Sequence, residues 1–216
     1  MKNVLCVMVL GTFLLGGCGS KNDANEKNFS GAINTYLSRR GQLCLGITST
    51  WPVDLNESER RMTVGRAPVM ATLEKLGLVR SQETTSESTP LFSARPVKVT
   101  VLRYELTDEG KKFYREKQGP VLSGNKGTQG DLCYGQQALD KIVKWQGPTA
   151  AGGTEEASVF YTYKINSLAD WAMNPDVQRI FPGIVSSVAG AGKTQMNQAL
   201  TLTNQGWQAR GIDTPF

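Results

Sequence analysis

The side chains that could do chemistry in this 216-residue chain are four cysteines, a scatter of carboxylates and no histidine at all. Without histidine, neither a Ser-His-Asp nor a Cys-His relay can be assembled. A Ser-Lys pair is the remaining nucleophile and base, but no Ser-x-x-Lys stands in a setting that would present a nucleophile. Asp54, Glu57 and Glu59 cluster as a general acid and base would, yet their polar surroundings read as solvated loop charges. Gly190-Ala191-Gly192-Lys193-Thr194 ends like a phosphate-binding loop, but that loop needs glycine where Ser187 stands and a strand upstream, whereas 183–189 reads as turn or helix. Trp51, Trp145, Trp171 and Trp207 could floor a sugar-binding groove, although aromatic packing in a core is the commoner use. The cysteines alone give a metal site little support, and no cofactor is expected.

The N-terminus makes the sharpest statement. Met1 and Lys2 precede an apolar, uncharged run from Val4 to Leu15, shorter than the about 20 residues a spanning helix needs, so residues 1–17 read as a signal peptide. Its end, Leu15-Gly16-Gly17-Cys18, resembles the lipobox of bacterial lipoproteins. That resemblance implies cleavage before Cys18, acylation of Cys18 and attachment to a membrane through lipid. One acyl chain holds only reversibly, at about 0.8 kcal/mol per buried methylene, and the several chains implied here make a stable anchor. Gly19-Ser20 follows Cys18 in place of the aspartate that commonly retains such proteins at the inner membrane. The expected location is therefore the outer membrane, facing the periplasm. Cys6 then leaves with the leader and Cys18 is taken by lipid, so Cys44 and Cys133 remain. In an oxidising compartment they suggest a disulfide contributing about 4–5 kcal/mol, with two buried free thiols as the alternative.

At 39% hydrophobic residues the chain can bury a core as one large domain or two small ones. Its charge of +5, about +4 without Lys2, is scattered into short runs at Arg39-Arg40, Arg60-Arg61 and Lys111-Lys112. These make no continuous basic surface, and no nucleic acid is expected as a partner.

Residues 18–28 are polar and aperiodic and read as a lipidated tether. Phe29, Ile33, Tyr36 and Leu37 predict a helix with Ser30 as N-cap, ending near Gly41. Buried extended chain follows at Leu43–Ile47 and Trp51–Val53. A helix opens near Pro68 and closes at Gly77, with Leu78–Ser81 as a strand and Gln82–Ser93 as a polar loop. Val97–Leu106 reads as a strand, and Thr107 caps a helix reaching Lys117. Within this stretch, Leu73-Glu74-Lys75-Leu76-Gly77-Leu78-Val79 and Tyr104-Glu105-Leu106-Thr107-Asp108-Glu109-Gly110 resemble the later part of a winged-helix domain. Winged-helix proteins often bind DNA, but a periplasmic protein meets none, and the Pro68 helix lacks a basic reading face.

Gly119–Gly130 reads as a linker between a first half, 29–118, and a second, 131–216. The halves share motifs. Gly41-Gln42-Leu43-Cys44 matches Gly130-Asp131-Leu132-Cys133, and Leu106-Thr107-Asp108-Glu109-Gly110 matches Leu202-Thr203-Asn204-Gln205-Gly206. In the second half, a strand at Ile142–Trp145 should pair across Gly152-Gly153 with Val159–Ile165, ahead of a helix at Leu168–Ala172. A short helix is bracketed by Pro175 and Pro182, and Leu200 and Leu202 lie on a last strand whose turn Thr203 caps. The expected fold class is α+β: two winged-helix-like halves from a degenerate internal duplication, after a lipoprotein signal peptide.

Over its length the chain resembles a family of uncharacterised proteobacterial lipoproteins, on the lipobox, Leu43-Cys44-Leu45-Gly46, Trp51-Pro52, Leu132-Cys133-Tyr134-Gly135 and Tyr161-Thr162-Tyr163. Some members carry the name of a sugar-nucleotide reductase. This chain has neither an iron–sulfur cysteine cluster nor a dinucleotide glycine fingerprint to match. The leading expectation is a non-catalytic binding or assembly module whose partner is an envelope protein or cell-wall component. An envelope enzyme acting on cell-wall sugar or peptide is the alternative, and a nucleic-acid-binding regulator the third.

Overall fold

A computed structural model describes residues 20–47, 49–89, 95–116 and 128–212. The leader with Leu15, Gly16 and Gly17, the acylation candidate Cys18, the expected helix end at Lys117 and residues 119–127 of the expected linker lie outside the described residues.

The first element is helix α1, Glu26–Arg40. Its N-cap is Asn25, whose side chain accepts from the Asn28 N–H, so the helix begins one turn before the expected cap at Ser30. Phe29, Ile33 and Leu37, spaced by four, make its buried stripe. The helix ends at Gly41, where a Cβ would lie 2.6 Å from the Leu37 carbonyl oxygen. Three short strands follow: β1, Gln42–Cys44; β2, Ser49–Trp51; and β3, Val53–Asn56. Asn56 also caps the single-turn helix α2, Glu57–Arg60, in a reciprocal box with Glu59.

Helix α3, Arg66–Lys75, leads through Gly77, in the left-handed region at φ +70°, into strand β4, Val79–Ser88. Strand β5, Val97–Leu106, pairs with all ten residues of β4 and with β3, giving a three-stranded sheet in the order β3-β5-β4. The expected polar loop therefore begins too early. A polar strand of matching length holds because its partner is β-branched and the full ladder forms. Thr107 then caps helix α4, Asp108–Phe113, accepting from the Gly110 N–H, and strand β6, Tyr114–Glu116, follows.

Strand β7, Thr128–Ala151, is the spine of the molecule. Its first residues pair with β2, β6 and β1, and the remainder turns back at Gly152-Gly153 into β8, Thr154–Asn166. A 3-10 turn at Asp170–Met173, helix α5 at Pro175–Ile180 and helix α6 at Pro182–Gly190 lead to β9, Met196–Thr203, and β10, Gly206–Ala209. The sheet runs β1-β7-β8-β9-β10, antiparallel and curled.

Two main cores hang on β7. In one, Phe29, Ile33 and Leu37 of α1 pack on Val159, Tyr161, Tyr163, Leu200 and Trp207, with Phe29 edge-on to Trp207 at 5.1 Å and to Trp145 at 5.5 Å. In the other, Met70 and Leu73 of α3 meet Val53, Leu55, Val79, Tyr104 and Leu132, the last from β7 itself. A smaller cluster around Tyr134, Ala172 and Ile184 seats the α5–α6 helices.

This architecture corrects the expected fold class. Strand makes up 46% of the described residues against 31% helix, and neither half is a winged-helix arrangement. The helix-strand-strand-helix order of α3, β4, β5 and α4 does form. Strands β1, β2 and β6, however, join β7 in one sheet, and the later chain is a meander. Nor are there two equivalent halves: Leu106–Gly110 enters a helix, whereas the matching Leu202–Gly206 is the tight β9–β10 turn with Gly206 at φ +103°. Gly110 is buried so close to Leu78 that a Cβ would sit 1.9 Å from its carbonyl oxygen, which is a different demand on the same letter.

Candidate functional site

Cys44 on β1 and Cys133 on β7 are direct register partners and form a disulfide. Asp131, 1% exposed, accepts from the Gly46 N–H at 3.0 Å and from the Leu132 N–H at 2.8 Å, and the Leu45 N–H donates to the Leu132 carbonyl. Covalent bond, carboxylate and backbone thus clamp residues 42–46 onto β7. The arrangement is structural rather than reactive.

The acidic cluster does not converge. Asp54 is held by Arg103 through two 2.7 Å hydrogen bonds, and this pairing keeps its carboxyl below the usual carboxylate range. Glu57 pairs with Arg61, and Glu59 pairs with Arg66 while accepting from the Asn56 N–H. With each carboxylate committed to its own arginine, no two are poised as acid and base across a cleft.

Gly190–Thr194 also resolves into structure. It closes α6 rather than opening a helix, and the N–H groups of Lys193 and Thr194 donate to the Gly190 carbonyl while that of Gly192 donates to Tyr163. Those donors point at protein oxygens and cannot cradle a phosphate. The tryptophans are dispersed. Trp51 and Trp207 are buried in different cores, Trp171 stands edge-on to Phe113 at 5.6 Å, and Trp145 is half-exposed on β7. The indole N–H groups of Trp51 and Trp171 are buried with no hydrogen-bond partner.

What the fold does build is open grooves, of which a polar one of about 910 Å³ is lined by Asn56, Glu57, Arg60 and Glu83, and two others differ sharply in character. The first of these two, about 480 Å³, is lined chiefly by Ile47, Val64, Pro68, Val69, Met70 and Ile180. It forms where the chain leaves α2 and turns at Gly65, φ +84°, into α3. Val64 at 74% exposure and Met62 at 54% are the most exposed large apolar side chains among the described residues. Arg66 at the rim is occupied by Glu59, which leaves the floor apolar. Sequence reasoning missed this surface. Its one signal is a pair of bulky apolar residues set among Arg60, Arg61, Thr63, Gly65 and Arg66 without helical or strand periodicity. The second groove, about 550 Å³, runs between α1 and β10 and carries Lys21, Lys27 and Arg39.

Among the described residues no helix is long and apolar enough to cross a membrane. Compared with known protein families, curated proteins and solved structures, the chain matches none.

Proposed function

We propose that this protein is an outer-membrane lipoprotein, acylated at Cys18 and facing the periplasm, that works without catalysis by binding an envelope protein in the groove beside Val64. The observation that carries this reading is the groove itself. Val64, left in water at 74% exposure above a floor of Ile47, Val69 and Ile180, is costly to keep without a partner that covers it. A glycan needs hydrogen-bonding groups and an aromatic platform, and none of the four tryptophans lines this groove, so an apolar protein segment is the occupant it suits. The Cys44–Cys133 disulfide fits an exported chain. The paired carboxylates weigh against the alternative of an enzyme acting on cell-wall sugar or peptide.

The test is a Val64→Asp variant made in the native host, crosslinked and purified from membranes. An exposed substitution of this kind should leave folding stability within about 0.5 kcal/mol of wild type. One envelope protein should co-purify with wild type and drop about tenfold with the variant, the loss expected for roughly 1.4 kcal/mol of interface energy. Equal recovery with both, or turnover of cell-wall sugar or peptide by the purified protein, would contradict the proposal.

A further inference from the structure

Composition assigns residues 18–28 to a flexible tether, but the described part of that stretch is folded onto the domain. The Ser20 N–H donates to Asp23 Oδ2 at 2.7 Å, and Asn28 Nδ2 donates to the carbonyls of Ser20 and Asp23, both at 2.8 Å. On the other side, Lys21 Nζ donates to the Asn204 carbonyl at 2.7 Å, and Trp207 Nε1 donates to the Asn22 carbonyl at 3.2 Å. Residues 20–23 are therefore strapped to the start of α1 and to the β9–β10 turn together. Gly206 is part of the fit, since a Cβ there would lie 3.1 Å from the Lys21 carbonyl oxygen.

Cys18 is two residues before Ser20, and two residues of fully extended chain reach only about 7 Å. A lipid on Cys18 thus leaves no slack between bilayer and fold. Beside the strap lies the α1–β10 groove, whose charged lining is Lys21, Lys27 and Arg39, with no carboxylate; Asp23 is turned to the Ser20 N–H, and Glu26 lies outside it. Resting on the acylation of Cys18, we propose that the domain is seated directly on the membrane, with the strap, the start of α1 and the β9–β10 turn facing the headgroups and Lys21 and Lys27 meeting anionic phospholipid. The seating also orients the rest. Trp145 packs beside Phe29 at the start of α1, whereas Leu132 belongs to the α3 core, and the strand between them spans up to roughly 40 Å. The Val64 groove then faces away from the bilayer.

The experiment places one fluorophore on an added cysteine, at Gly31→Cys or at Val64→Cys, in the full acylated chain. It is reconstituted in vesicles of phosphatidylethanolamine and phosphatidylglycerol carrying a headgroup nitroxide quencher. Position 31 opens into space beside the groove, where a Cβ meets nothing within 4 Å. Quenching should be several-fold stronger at 31 than at 64, and Lys27→Glu, at an exposed groove residue outside the strap's hydrogen bonds, should cut that contrast without changing the unfolding temperature. Equal quenching at the two positions on protein of acylated mass would overturn the seating alone. A contrast untouched by the charge reversal would overturn the role given to phospholipid. Protein whose mass shows Cys18 unmodified would overturn the lipoprotein reading beneath it.

Discussion

The two ends of β7 carry different kinds of structure. At the Trp145 end, a single long helix fills a curled sheet, the aromatic rings of Phe29, Trp145 and Trp207 lock together, and the groove alongside is basic. At the Leu132 end, a three-stranded sheet and two helices make a smaller core, arginine–carboxylate pairs cover its surface, and the groove is apolar. The difference shows how one strand can let two surfaces specialise. Each core has its own packing, yet neither can be lost without exposing the side chains that β7 gives to it, so the pair should unfold as one unit.

The strongest challenge to that unity is removal of the staple that holds β1 on β7. Replacing Cys44 and Cys133 by serine together releases a link across 89 residues and should lower stability by about 4–5 kcal/mol on the chain-entropy estimate, read by chemical denaturation. Phe29→Ala in the first core should cost about 3–5 kcal/mol and Leu73→Ala in the second about 2–5 kcal/mol. Both should move a single calorimetric transition. Two transitions, with each variant shifting only its own, would show that β7 does not couple the cores.

One group from each end should also answer pH in opposite directions. Burial under α1 pushes Tyr161 up to about 12, so its contribution is full below pH 10 and drains away between pH 10 and 12, amounting to roughly 2–3 kcal/mol. Asp54, in the small sheet, is held below its ordinary value by Arg103. Its contribution is present above about pH 4 and is lost as pH falls through the folded value. Tyr161→Phe should therefore flatten only the alkaline limb of stability against pH, and Asp54→Asn only the acid limb.

The smallest effects separate the two look-alike motifs. Gly110→Ala drives a methyl into the Leu78 carbonyl and should cost about 1–3 kcal/mol through overpacking. Gly206→Ala should cost a similar amount through backbone strain at φ +103°. Amide exchange should report the first around α4 and the second around the β9–β10 turn.

Those motifs also mark how far the sequence could be read. Elements signalled within a few residues were legible: the i, i+4 stripe of α1, the proline and glycine bounding α3, the β5 run, the Gly152-Gly153 hairpin and the pairing of Cys44 with Cys133. Elements decided by distant partners were not. β4 continues as a strand through Gln82–Ser88 only because β5 is there to pair with it, and β1, β2 and β6 find β7 across long stretches of chain. Leu-Thr-Asx-Glx-Gly looks alike at 106–110 and 202–206, yet a helix follows one and a strand the other. Of the candidate site, the cysteine pair was visible. The groove was not, because Val64 lies in a turn with no periodicity, and only folding brings Ile47 and Ile180 to it.

The central claim, that Cys18 anchors this fold at the outer membrane, is tested most directly by the intact mass and membrane fraction of the protein made in its native host, beside a Cys18→Ser variant. The account predicts a chain beginning at Cys18, heavier by its acyl groups and sedimenting with the outer membrane, and a variant that does neither. A soluble protein retaining residues 1–17 would contradict it.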